Sequence, residues 1–270
     1  MESTKVLFIS QEITPYLPET EMSVICRNLP QGIQERGKEI RTFMPRFGCI
    51  NERRNQLHEV IRLSGMNLII NDTDHPLIIK VASIQSARMQ VYFIDNDDYF
   101  SRKATLLDTE GEPFPDNDER TIFFSRGVLE TVRKLRWSPD IIHCHGWFTG
   151  LVPLMIKKAF KEDPLFHHSK VVYSVYNDGF ATPFNKGFKN KALVDGVTKK
   201  DISIMDNPDF TSLSKLAIQY SDGIILANEN VDPTVKEHVT ASGKPFLPFN
   251  GLDNYIDEYA QFYEQILAKE

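Results

Sequence analysis

The 270-residue chain has little of several things, and each shortage excludes something. Cysteine is scarce. Cys26, Cys49 and Cys144 are odd in number and scattered, which excludes a disulfide framework and reads as reduced thiols in the cytoplasm. No stretch approaches the roughly 18 apolar residues that a membrane-spanning helix needs. The opening Met1-Glu2-Ser3-Thr4-Lys5 runs straight into an apolar strand, without the basic start and long apolar run of a secretory leader. Positive charge is not in excess. With 31 Lys and Arg against 37 Asp and Glu, the net charge of −6 argues against nucleic acid and against an anionic membrane as partners. Although the opening has a β-loop-α-β pattern, it contains no G-x-G-x-x-G.

What is present suits a folded α/β chain. Hydrophobic residues make up 41% and charged residues 25%, enough for a real core. Lys5–Ser10 reads as a first strand, Glu12 to Glu21 as a loop, and Met22 to Arg36 as a helix ended by Gly37. Pro30 is expected to kink or shorten that helix. Glu39 to Met44 is a second strand. Between Glu52 and Ala87 the alternation predicts strands near Leu57–Leu63 and Leu77–Val81, followed by Val91–Ile94. Turns are expected at Asn71-Asp72 and His75-Pro76, with His58 and His75 on the surface. A helix is expected from Asp116 to about Leu135, with acidic residues in its first turn. Strands follow at Lys170–Val175 and Asp222–Ala227, and helices at Phe210–Tyr220 and Val231–Thr240. Asn254 to Lys269 carries Tyr255, Tyr259, Phe262, Tyr263 and Ile266 on one wide face at helical spacing. That face is expected to dock on the preceding domain or to form a dimer interface.

The centre of the chain is Pro139-Asp140-Ile141-Ile142-His143-Cys144-His145-Gly146-Trp147. Ile141 and Ile142 suit a central parallel strand, apolar on both faces. The histidines then fall at the strand's carboxyl end, where open α/β sheets bind ligands. His143 and His145 are expected on opposite faces of the strand, and so to be a poor chelating pair; no metal site is predicted. Trp147 to Lys158 has helical spacing.

This segment resembles the P-D-[VI]-[VI]-H-x-H-D-W of bacterial glycogen synthases and plant starch synthases, with Gly146 in place of the aspartate. Further stretches follow the same family. The K-V-L-F-x-x-x-E-x-x-P pattern runs through Glu12 and Pro15. D-N-x-E-R-F-x-F-F-S-R is matched through Asp116, Asn117, Glu119, Arg120, Phe123, Phe124, Ser125 and Arg126. Tyr176-Asn177-Asp178-Gly179-Phe180 aligns with the family's H-N-x-x-[YF]. The resemblance covers about residues 5–240. It implies a Rossmann-like parallel sheet with helices on both faces, the N-terminal half of a GT-B fold, over residues 1–245. Residues 246–270 then resemble the returning end helix of GT-B enzymes, and no second GT-B domain is expected.

The resemblance also implies a cleft. His145 would be its surviving, and if active catalytic, histidine, beside Glu12, Asp116, Asn117 and Asn177. Tyr16, Trp147, Tyr176 and Phe180 would be sugar contacts. No metal or other cofactor is implied. The departures fall where the donor would bind. The family's K-T-G-G-L, which approaches the donor phosphates, aligns with Pro18-Glu19-Thr20-Glu21-Met22. Lysine and both glycines are gone and two carboxylates have arrived, which should repel a diphosphate. Tyr176 replaces a histidine and cannot repeat its proton chemistry near neutral pH. The expectation is a glycogen/starch synthase-like protein of α-glucan metabolism, a non-catalytic or severely impaired homologue that binds α-glucan or maltooligosaccharide or serves a regulatory role. The alternative is a glucosyltransferase using ADP- or UDP-glucose, alone or with a separate partner domain.

Overall fold

The structure is a computed structural model that describes residues 3–269. Met1, Glu2 and Glu270, which the sequence reading touched at the two ends, lie outside the described residues. In chain order the elements begin with β1 (Lys5–Ser10), α1 (Glu21–Glu35), β2 (Glu39–Pro45), β3 (His58–Glu59), β4 (Met66–Ile70), β5 (Thr73–Ile84) and β6 (Met89–Asp95). There follow α2 (Asp97–Phe100), α3 (Asn117–Leu135), β7 (Ile141–His145), α4 (Val152–Lys157), β8 (Lys170–Val175) and α5 (Phe188–Lys191). The chain closes with α6 (Phe210–Tyr220), β9 (Gly223–Leu226), α7 (Pro233–Ala241), β10 (Phe246–Leu247) and α8 (Tyr255–Leu267).

The strands form a sheet in the order β10-β9-β8-β7-β1-β2-β6-β5-β3, with β4 paired to β5. From β10 to β6 neighbours run parallel, while β5, β4 and β3 add antiparallel pairings at one edge. The parallel part is the expected Rossmann-like sheet. Its buried strands read as continuous apolar runs because helices cover both faces. One packed group joins α1 and α8; another joins α3, α4 and α6. From β1 the chain winds outward through β2 and β6, then returns and winds the other way through β7, β8 and β9. The order therefore reverses between β1 and β7, and a crevice opens outside their carboxyl ends.

Local physics explains where the expectations hold and where they fail. Helix α1 begins at Thr20, whose hydroxyl accepts the Ser23 N–H at 3.0 Å while Ser23 Oγ accepts the Thr20 N–H at 2.8 Å, a reciprocal cap. It runs through Pro30 without ending there, because Pro30 is buried in the apolar face that seats the helix on the sheet. Packing of that face outweighs the one lost backbone bond. Asn71 and Asp72 form the predicted turn, both with positive φ, between β4 and β5. His75 and Pro76 do not turn; both lie within β5, where Pro76 pairs across from Asn67. His75 is buried, against the surface expectation, because its ring nitrogens meet Asp98 and Tyr99 at 2.9 Å each. The strand expected over Leu57–Leu63 shrinks to His58–Glu59. The helix expected over Trp147–Lys158 divides into a 3-10 turn at Trp147–Thr149 and α4 from Val152, with Pro153 at the start of α4.

Helix α8 turns its aromatic face inward. Tyr259, Phe262, Tyr263 and Ile266 are buried, so that face is covered by the chain's own sheet and by α1. Two glycines make the approach possible. A Cβ on Gly32 would stand 2.6 Å from Ile256 Cγ2, and one on Gly223 would stand 2.7 Å from Ile266 Cδ1. Ion pairs Arg36–Asp257 and Lys38–Glu264 rim the contact. With their carboxylates exposed, they add little beside the apolar seat.

Candidate functional site

At the carboxyl end of β7 the two histidines share one face of the strand. The expectation of opposite faces was wrong, because residues i and i+2 of a strand lie on the same side. Their rings lie against each other, tilted by 37° with centroids 3.8 Å apart. Both are fully buried. His143 Nδ1 lies 2.6 Å from Tyr263 Oη of α8, and its Nε2 lies 2.7 Å from Ser174 Oγ of β8. His145 Nδ1 lies 2.8 Å from Tyr176 Oη, while its Nε2 is buried without a partner among the described residues. Burial pushes the His145 imidazolium down to about 3 and holds His143 well below its usual range, so both rings are neutral in the native chain.

Beside this histidine pair the crevice widens into a cavity of about 820 Å³. Its walls come from the ends of several strands. Gln11, Glu12 and Leu17 follow β1, Phe47 follows β2, Trp147 follows β7, and Asn177 to Asn185 follow β8. The segment from Thr105 to Asn117, ahead of and entering α3, supplies the far side. Trp147 packs edge-on against Phe180 with centroids 4.8 Å apart, and Phe180 stacks on Phe184 at 4.7 Å. Phe180 and Phe184 are half-buried, which leaves ring surface facing the cavity. The charged side chains on the wall are Glu12, Glu112 and Asp178; no Lys, Arg or His lines it among the described residues. Burial raises the Glu12 carboxyl, opposed by a hydrogen bond from Thr20. Burial also pushes Asp178 up to about 7, although it accepts the Trp147 N–H at 2.8 Å.

The cavity brings together Glu12, Asn117, Trp147, Asn177 and Phe180 of the residues expected from the sequence. His145, Tyr16 and Tyr176 do not reach its wall. Tyr16 packs edge-on against Phe93, and burial pushes its phenol up to about 12. Tyr176 is buried under the sheet edge with its hydroxyl on His145. Asp116 stands at the start of α3 without capping it; its carboxylate takes two bonds from Arg102 at 2.9 and 2.7 Å. Gln11, Asp178, Phe114 and Phe184 are wall residues that the sequence reading did not single out. For Asp178 a signal existed, since it directly follows a strand at the ligand-binding edge. Phe184 lies four residues beyond Phe180 in a loop whose course the spacing alone does not fix.

The stretch Pro18–Met22 is the start of α1. There a bound phosphate would need free N–H groups and positive charge. Here Thr20 and Ser23 cap each other, and Glu21 accepts a hydrogen bond from Asn228 at 3.1 Å. The helix end is closed by its own side chains.

A family model described as the starch synthase catalytic domain matches residues 5–244. The chain belongs to that family. Among curated relatives, the glycogen synthase of Chlorobium limicola is 39% identical over 174 residues, covering 64% of this chain and 36% of the relative. That of Chlorobaculum tepidum is 40% identical over the same length and the same shares. Among solved structures, the catalytic domain of starch synthase IV from Arabidopsis thaliana, bound to ADP and acarbose, superposes with a TM-score of 0.73 at 18% identity. The superposition covers 94% of this chain and 53% of that one, and it shows the shared fold. The chain thus matches about a third of the length of its curated relatives and about half of the starch synthase IV chain.

Proposed function

We propose that this member of the starch synthase catalytic domain family binds α-glucan or maltooligosaccharide in the cavity at the β1–β7 crevice, and does not itself transfer glucose. The observation that carries the reading is the cavity wall: Trp147, Phe180 and Phe184 offer aromatic surface, Asn177, Asn117 and Gln11 offer hydrogen bonds, and no cation is present among the described lining residues. A sugar ring needs that combination, apolar faces for its C–H side and a few placed polar groups for its hydroxyls. A leaving diphosphate needs the opposite, since charge developing on it is stabilised by cations or free N–H donors. Glu19 and Glu21 at the start of α1 and the carboxylates on the wall oppose it. His145 is buried away from the cavity with its hydrogen bond committed to Tyr176, which supports a structural place for it. The free thiols of Cys26, Cys49 and Cys144 support a reducing, cytoplasmic setting.

The family membership favours one second reading, in which the chain transfers glucose from ADP- or UDP-glucose to an α-glucan, alone or with a separate partner domain. The two separate in one assay. Purified chain is mixed with glycogen and labelled ADP-glucose or UDP-glucose, then sedimented. The expected result is chain in the glycogen pellet and label incorporation at the level of a protein-free blank. Incorporation above the blank would establish the transferase reading instead.

A further inference from the structure

Gly146 is the place where the sequence departs from the motif H-x-H-D-W, and the structure shows what fills the space. Its φ of +83° and ψ of 161° lie in a region reserved for glycine. A Cβ built there would stand 2.8 Å from Gln11 Oε1 and 2.9 Å from Asp178 Oδ2. Two polar side chains from neighbouring strands therefore close over the bare backbone at the end of β7. They also take the first N–H groups beyond it. Trp147 N–H donates to Asp178 Oδ2 at 2.8 Å, and Phe148 N–H donates to Gln11 Oε1 at 3.1 Å. A carboxylate thus stands over β7 although the residue at 146 cannot supply one; it comes from β8.

The consequence is a fixed acceptor beside an aromatic platform. The Trp147 N–H is the one hydrogen bond that Asp178 takes from another residue among those described. Its remaining acceptor capacity is available to the cavity, which Asp178 lines together with Trp147 and Phe180. Above about pH 7, where Asp178 is ionised, a carboxylate held this way accepts hydrogen bonds from the hydroxyls of a hexose resting on the aromatic wall. It also disfavours a phosphate group, because Glu12 and Glu112 share the wall and no lining cation offsets them among the described residues. Resting on the saccharide reading above, we infer that Asp178 is the specificity-determining residue of the cavity: it binds hydroxyls of an uncharged glucose unit and excludes phosphorylated units.

The test is titration calorimetry of the full chain at about pH 8.5, where Asp178 is ionised, with two probes, maltoheptaose and a maltodextrin of the same length carrying phosphate monoesters. It compares wild type, Asp178→Asn and Asp178→Ala, with thermal unfolding of each. Asparagine keeps an oxygen to accept the Trp147 N–H and removes the charge, so it separates selectivity from local structure. Wild type is expected to prefer maltoheptaose about tenfold or more. Asp178→Asn is expected to cut that preference to about threefold or less with an unchanged melting temperature. Asp178→Ala is expected to lose about tenfold in maltoheptaose affinity. An unchanged preference in Asp178→Asn overturns the assignment and leaves the saccharide reading in place. Failure of wild type to bind maltoheptaose overturns both.

Discussion

The two sides of the turn at the end of β7 are built on different principles. On one side His143 and His145 are fully buried ring against ring, His143 against α8, and three of their four ring nitrogens are bonded to Tyr263, Ser174 and Tyr176. On the other side Trp147, Asp178 and Phe180 border an open cavity; Trp147 is buried behind Phe180, while Phe180 and Asp178 stay half-buried. The histidine side is a structural joint: it ties the end of the chain to the middle of the sheet. The cavity side keeps unsatisfied chemistry, which is what the proposed saccharide site draws on. A histidine pair in a motif at a ligand-binding sheet edge invites a catalytic reading, yet what a side chain does is set by what its polar atoms already hold.

The largest effect that would break this contrast is loss of Tyr263. Its ring is fully buried against the sheet and its hydroxyl serves His143. Tyr263→Ala is expected to lower stability by about 3–5 kcal/mol through the cavity left behind, seen as an earlier urea midpoint; a change under about 1 kcal/mol would mean that α8 is not tied down there. Next comes pH. The unfolded chain protonates its histidines near the ordinary value of 6.5, while native His145 stays neutral down to about 3. Protons therefore favour the unfolded state below 6.5, and stability falls as pH drops from 6.5 toward 3. The His145 contribution at pH 4 is expected to be about 3 kcal/mol. Urea unfolding at pH 7, 5 and 4 should show a shallower loss in His145→Asn than in wild type, and equal slopes would contradict the burial argument.

A smaller effect sharpens the joint. Tyr263→Phe keeps the ring but leaves His143 Nδ1 short of its partner, and is expected to cost about 1–3 kcal/mol, with no change in glycogen binding. The smallest stability effect belongs to the cavity side. Phe180→Ala removes a half-buried ring and is expected to leave unfolding within about 1 kcal/mol of wild type. It should nevertheless weaken maltoheptaose binding about five- to tenfold. Equal losses of stability and affinity in Phe180→Ala would erase the distinction between the two sides.

Much of this was legible in the residues. The apolar runs Val6–Ile9, Ile141-Ile142 and Val171–Val172 mark central parallel strands because such strands are covered on both faces. Gly37 marks the end of α1 through its positive φ, and Asn71-Asp72 marks the β4–β5 turn for the same reason. The site was legible in part. Glu12, Asn117, Trp147, Asn177 and Phe180 reach the cavity because they follow strand ends or enter a helix at the crevice. Tyr16 and Tyr176 do not, because a tyrosine reads the same whether its ring faces solvent, a neighbouring phenylalanine or a buried histidine. Asp178 escaped because its partner, the Trp147 N–H, lies in the turn after another strand, thirty-one positions away. The same limit hid the Tyr263–His143 contact, which spans 120 positions. Pairings across strands depend on register, and local spacing carries no trace of them.

The most direct measurement is calorimetric titration of one preparation of the chain, first with maltoheptaose and then with ADP-glucose. The account predicts saturable binding of maltoheptaose that Phe180→Ala weakens about five- to tenfold, and no heat of binding with ADP-glucose. Tight binding of ADP-glucose, with or without maltoheptaose, would contradict it, because a diphosphate would then be held where the charged groups among the described lining residues are all acidic.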